Sequence, residues 1–215
     1  LIPKHKITAI VGESGCGKTS LLKLLLKLYD PTKGDIYIDG INLKNIPFEE
    51  WRMYCGAVMQ DTYIFSESIA RNVALSDEKI DYAKIDYALS KACILDFVKA
   101  LPKGVETIIG SMGNGLSNGQ RQRLILARMI YRNPDYIFLD EATSSLDAIN
   151  EKSIYSNIKE IFKEKTVVII AHRLSTIRNA DQIIVMNDGS VCEYGSHQHL
   201  MSIKGQYYKL IQNQI

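Results

Sequence analysis

Between positions 12 and 19 the chain reads Gly-Glu-Ser-Gly-Cys-Gly-Lys-Thr, with glycines at 12, 15 and 17 and a lysine and a hydroxyl directly behind them. Glycines so spaced let a backbone curl until its N–H groups converge, and a helix that follows adds its positive end. Such a concavity suits phosphate oxygens. Gly12, Glu13, Ser14, Gly15, Cys16 and Gly17 would cradle them, joined by the first helical residues Lys18, Thr19 and Ser20. Lys18 would reach the terminal phosphates of a triphosphate, and the Thr19 hydroxyl would ligate Mg2+. A plain glycine turn is the structural alternative. Against it stands the context, a β-branched run before (Ile7–Val11) and a leucine-rich helical stretch after. A rival uses the same residues: Gly15, Gly17 and Ser20 nearly match a dinucleotide fingerprint, with Asp35 or Asp39 as its ribose-binding acid. The adjacent Lys18 and Thr19 suit a triphosphate with its metal better than a pyrophosphate.

A second group lies at Tyr136–Glu141, an apolar strand ending in the acids Asp140 and Glu141. Burying adjacent carboxylates unpaired is costly. A magnesium ion relieves that cost for Asp140, and Glu141 is then placed to polarise an attacking water. Two exposed acids capping the helix after Thr143 are the bland alternative.

The elements that must position these groups alternate. Ile7–Val11 reads as a buried strand and 20–28 as a helix with Lys23 and Lys27 on one face, ended by Asp30-Pro31. Strands follow at 34–38 and 57–59, with a turn at Asp39-Gly40 and a helix start at Pro47. From 68 to 100 the periodicity is helical, broken by Pro102-Lys103-Gly104. A helix over 118–130 stops at Asn133-Pro134, and strands at 136–139 and 166–171 flank a helix at 148–162. Asn187-Asp188-Gly189 joins two strands in a hairpin, and 196–215 is helical. The implied fold class is α/β: a P-loop core with a largely parallel sheet, a small antiparallel part and a helical lobe. The core would span about 1–61 and 134–215, and the lobe about 62–133.

With 215 residues and a net charge of +2, the chain can bury a core and projects no strong field toward nucleic acid or anionic membrane. Cys16, Cys55, Cys93 and Cys192 lack metal or redox spacing and read as free thiols. Cys16 alone stands at a helix N-terminus, where alkylation would inactivate and ATP would protect; an inert small residue is the equal alternative. No apolar run is long enough to span a membrane, so the stretch reads as soluble.

Leu116-Ser117-Asn118-Gly119-Gln120 resembles the LSGGQ signature of ABC transporter ATPases, and the likeness runs almost unbroken from Gly104 to Asp147. Gln60, in Met-Gln-Asp-Thr-Tyr-Ile-Phe-Ser, matches the glutamine loop in its exporter form. His172 matches the switch histidine, and Gly195-Ser-His-Gln-His-Leu resembles the closing motif, with His199 where a glutamate is frequent. The resemblance implies an ATP-hydrolysing motor of an exporter that binds ATP and Mg2+. Lys18, Gln60, Glu141 and His172 would be catalytic, and Thr19, Gln60 and Asp140 would hold the metal. Ser117, Gly119, Gln120 and Asp147 would serve the nucleotide across a head-to-tail dimer of two such domains, beneath a transmembrane partner on the cytoplasmic face of the inner cell membrane. Nucleic acid is not an expected partner, and peptide, lipid or drug all remain open as cargo. The alternative for the signature is an ordinary N-cap serine followed by a solvated face of Arg121, Arg123 and Arg128. Two departures stand out. Asn118 replaces the central signature glycine, and no adenine-stacking aromatic precedes Gly12, so the stretch reads as cut from a longer chain that binds ATP more tightly.

Overall fold

The structure is a computed structural model that describes residues 1–59, 63–75, 77–110, 115–140, 160–171 and 173–212. The chain divides into two compact units, one of Leu1–Ala57, Asp135–Glu141 and Glu164–Ile215, the other of Val58–Pro134 and Ala142–Lys163.

In the first unit, β1 (Ile7–Val11) lies between β6 (Thr166–Ile170) and β7 (Gln182–Asn187), parallel to both. β5 (Tyr136–Asp140) runs parallel to β6 on its other side. With β4 (Cys55–Val58) and β8 (Ser190–Gly195) at the edges, the six-stranded order is β4-β5-β6-β1-β7-β8. β1, β6 and β7 are rich in Ile and Val, and β5 is apolar up to Asp140, because a parallel sheet is covered on both faces. β8 runs antiparallel to β7, so a tight turn suffices. Asp188 and Gly189 both take positive φ, 47° and 76°, the combination a two-residue hairpin of native twist requires. The same Asp-Gly solution recurs at Asp39 and Gly40, φ 49° and 82°, joining β2 (Tyr37–Ile38) to β3 (Ile41–Asn42) in a separate two-stranded sheet.

The helix after the glycine loop, α1, spans Lys18–Leu25, starting earlier and stopping sooner than its leucine pattern suggests. Lys27 has left the helix with φ 56°, and its ammonium donates to the carbonyls of Leu43 and Ile46. It therefore shares no helix face with Lys23: capping the carbonyls of a neighbouring turn outweighs one more helical residue. From α2 (Phe48–Tyr54), buried Trp51 donates its indole N–H to Leu25 O at 2.9 Å and fixes the end of α1. Near the C-terminus the Ser196 hydroxyl caps the helix His197–Ile203, and His197 Nδ1 lies 2.7 Å from the Tyr207 hydroxyl. Burial pushes Tyr207 up to about 12 and, with Arg178 adding to it, holds His197 below its ordinary value.

The second unit is helical. The stretch 68–100, helical in its pattern, holds three helices: α3 (Ile69–Ala74), α4 (Tyr82–Lys91) and α5 (Leu95–Lys99). Both breaks between them contain a residue of positive φ, Leu75 and Cys93. Against α3 and α4 packs α6 (Asn118–Arg132), the longest described helix, whose buried residues include Leu124, Ala127, Ile130 and Tyr131. Asn133, φ 49°, ends it as the Asn-Pro pair predicts. The expected helix at 148–162 falls mostly outside the described residues; its last part, Glu160 and Ile161, is helical.

Candidate functional site

The glycine loop leaves the buried end of β1 and enters α1. Gly12 is required by space: a Cβ there would stand 2.3 Å from Met186 O and 2.7 Å from Cys16 Sγ. Gly15 and Gly17 are required by backbone angle, with φ of 82° and 97°. Gly17 occupies the N-cap of α1, and no side chain caps that end. The first amides of a helix have no intrahelical partner, so those of Lys18, Thr19 and Ser20 form an uncapped positive terminus suited to an anion.

Lys18 is buried, 7 % exposed, and folds back over its own loop. Its Nζ donates to the carbonyls of Gly12 at 2.9 Å and Glu13 at 2.7 Å, and lies 3.8 Å from Cys16 Sγ. The charge is thus held among the loop's own carbonyls instead of extending into solvent. Cys16 is 5 % exposed beneath Gly12 and Lys18. That burial supports the inert reading of its thiol over the alkylation-prone one.

Thr19 and Asp140 come together across 121 positions of sequence, the threonine Oγ1 donating to the aspartate Oδ2 at 3.0 Å. Asp140 ends β5 and is 3 % exposed. A hydroxyl and a buried carboxylate in contact are hard oxygen donors, and two of them fit Mg2+, which keeps several waters and takes few protein ligands. The donor chemistry therefore agrees with the metal that the sequence motifs imply. Asp35 and Asp39, the acids of the dinucleotide rival, are instead engaged by lysines: Asp35 pairs with Lys44 at 2.9 Å and Asp39 with Lys4 at 2.6 Å. Those lysines hold both carboxyls below their ordinary range.

Within the second unit the signature forms the start of α6. Ser117 is its N-cap: the Ser117 hydroxyl accepts from Gln120 N at 3.2 Å, and Ser117 N donates to Gln120 Oε1 at 2.9 Å. The last signature residue therefore completes a capping box with the serine. Asn118 is the first helical residue and is not among the positive-φ positions, so the backbone here does not require the usual glycine. Gly119 follows in the first turn, its carbonyl accepting from Arg123 Nε at 3.2 Å.

Arg123 and Arg128 of α6 do not form a solvated face. Arg123 also donates to Cys93 O at 3.1 Å. Arg128 donates to Asn72 O at 2.8 Å, Asn72 Oδ1 at 3.2 Å and Tyr63 O at 3.0 Å, and burial lowers its pKa. Asn72, fully buried, accepts from Phe65 N and donates to the carbonyls of Phe65, Glu67 and Ser68. Together they bind the segment after Gln60 to α6. In the sequence Arg128 reads only as part of a solvated face and Asn72 does not stand out; an asparagine inside an apolar helical turn was the one available signal. Gln60, Glu141, Asp147 and His172 lie outside the described residues.

Comparison with known proteins agrees with this arrangement. The family model described as "ABC transporter" matches residues 1–144. An ATP-dependent lipid A-core flippase of Saccharophagus degradans is 44% identical over 213 residues, covering 99% of this chain and 36% of the relative. The flippase of Cupriavidus pinatubonensis is 43% identical over 209 residues, 96% of this chain and 35% of that protein. A solved bacterial Atm1-family ABC exporter with ATP bound superposes with a TM-score of 0.95 at 37% identity, over 99% of this chain and 37% of that one. The chain thus spans little more than a third of the proteins it matches. From the glycine loop, the buried Thr19–Asp140 contact, the capped signature helix and these likenesses together, the chain belongs to the ABC transporter family, as a nucleotide-binding domain of the exporter type.

Proposed function

We propose that this chain is the ATP-hydrolysing motor of an ABC exporter, closing head to tail with a second such domain around two Mg-ATP to drive a substrate across a membrane. The observation that carries this reading is the 3.0 Å contact between Thr19 and Asp140, beside a lysine already turned into the glycine loop. It brings three separate requirements of triphosphate chemistry to one end of the sheet.

In this reading the loop amides from Gly15 to Ser20 bind phosphate oxygens, and Lys18 trades a loop carbonyl for the β- and γ-phosphates. Thr19 and Asp140 hold Mg2+, with Gln60 beside them; the ion's contribution is to neutralise phosphate charge during transfer. Glu141 orients the attacking water, and His172 contacts the γ-phosphate. Ser117, Gly119 and Gln120 close the partner's site, and Asp147 crosses the interface. One glycine loop and one signature per chain match a two-fold pairing, since each then completes the other. The first unit acts as the catalytic core, and the second carries the signature. The assembly works on the cytoplasmic face of the inner membrane beneath a transmembrane domain. Relatives three times as long, named as lipid A-core flippases, support that placement. Among the described residues no helix is long and apolar enough to cross a membrane, so the transmembrane part would be supplied by further sequence or a partner.

The test is Glu141→Gln in the full-length gene product. Binding without hydrolysis is expected to trap an ATP-bound closed dimer, read by retained nucleotide and by crosslinking Ser117 of one copy to the glycine loop of the other. Retained ATP with no such crosslink would remove the head-to-tail arrangement, and absence of ATP binding would remove the motor.

A further inference from the structure

The glycine loop is not held by its own residues alone. Gly189 N, in the turn between β7 and β8, donates to the carbonyl of Cys16 at 3.2 Å. The same hairpin lies close to the loop at two more points: a Cβ on Gly12 would stand 2.3 Å from Met186 O, and a Cβ on Gly17 would lie 3.6 Å from Met186 Cε and 3.7 Å from Gly189 Cα. All three contacts fall within the first unit.

The bond to Cys16 O has a consequence one atom further on. No cis peptide occurs among the described residues, and in a trans peptide the carbonyl of one residue and the N–H of the next point in opposite directions. Holding Cys16 O on the hairpin therefore turns the N–H of Gly17 away from it. Left unheld, this peptide could rotate, because Gly17 at φ 97° accepts conformations other residues do not. Gly189 donates here from a left-handed conformation, φ 76°, after Asp188 at φ 47°. A Cβ on Gly189 would meet nothing within 4 Å, so backbone angle, not space, is what demands glycine.

We infer that the Asp188-Gly189 turn is a positioning element of the nucleotide site, its Gly189 N–H fixing the Cys16–Gly17 peptide so that the Gly17 amide is presented to phosphate. The inference rests on the ATP-binding reading above and assigns to that site a residue about 170 positions away in sequence. Gly189 touches no phosphate in this scheme; it acts through Cys16.

The second Asp-Gly turn supplies the control. Gly40 has the same preceding residue and a similar φ of 82°, also with nothing within 4 Å of a Cβ, but it joins β2 to β3. In the full-length gene product, Mg-ATP affinity by calorimetry and the melting temperature without nucleotide are compared for the parent, Gly189→Val, Gly189→Asn and Gly40→Val. A β-branched residue resists positive φ and asparagine tolerates it. Gly189→Val is expected to weaken Mg-ATP binding about tenfold, and Gly189→Asn to stay within about twofold of the parent. Gly40→Val should lower the melting temperature about as much as Gly189→Val while leaving affinity unchanged. Should Gly189→Val fail to fold, Gly189→Ala gives the same ordering with an affinity loss of about threefold. Equal affinity in Gly189→Val and the parent, or equal losses in Gly189→Val and Gly40→Val, would overturn the inference. A parent that binds no Mg-ATP would instead overturn the motor reading, a separate result.

Discussion

Two helices of this chain begin at motifs that read as phosphate binding, and they begin differently. α1 opens on Gly17 in a left-handed conformation with no side-chain cap. α6 opens on Ser117, whose hydroxyl and amide are both engaged by Gln120. The first terminus has no side-chain cap on its amides and sits beside a buried lysine, so an anion there gains the pull of the amides without displacing a capping side chain. The second is partly satisfied by itself: its serine hydroxyl already accepts from Gln120 N, and only its own O–H remains to donate to a phosphate. A site built to grip nucleotide permanently and a surface that meets it only on closure would differ in this way.

The largest way to break the contrast is at the permanent site. Asp140→Asn keeps the hydrogen-bond acceptor for Thr19 but removes the charge, and phosphate release is expected to fall about a hundredfold or more. Retention of near-parent turnover would show that the buried carboxylate is structural. Gly12→Ala comes next. A Cβ 2.3 Å from a backbone carbonyl forces the loop off Met186, with an expected loss of about 2–3 kcal/mol in thermal or urea unfolding. An unchanged midpoint would mean the loop yields freely.

At the second helix the effects shrink. Ser117→Ala removes the cap, and α6 should lose about 1 kcal/mol, read as a lower melting temperature even without nucleotide. No comparable loss is available at α1, where there is no side-chain cap to delete. Asn118→Gly is the smallest. Because residue 118 is helical, ATP turnover should stay within about twofold and stability should fall by about 0.5 kcal/mol. A large rise in turnover would show that the asparagine impairs the site.

Much of the fold and the glycine loop was legible in the chain. Ile7–Val11, Thr166–Ile170 and Tyr136–Asp140 are apolar runs of strand length, and the structure places all three side by side. The Asp-Gly turns and the Asn-Pro helix stop were likewise read correctly, because each depends on the conformational freedom of one or two residues. The pattern places Lys27 on the helix, and the structure takes it off, because its ammonium meets the carbonyls of Leu43 and Ile46 farther along the chain. The solvated arginine face, the alternative reading of the signature helix, fails for the same kind of reason: Arg123 and Arg128 reach Cys93 and Asn72.

By itself the sequence determined the local chemistry: which backbone stretches can bend around phosphate, which helix ends carry a cap, which runs must be buried on both faces. Those properties follow from the dihedral preferences and polarity of neighbouring residues. Only the tertiary structure decided what those pieces touch: Thr19 against Asp140, Gly12 against Met186, Cys16 held by Gly189, Arg128 gripping Asn72. Contacts across such separations are chosen by the packing of the whole sheet and helix layer, where unpaired buried polar groups must find partners wherever the fold supplies them.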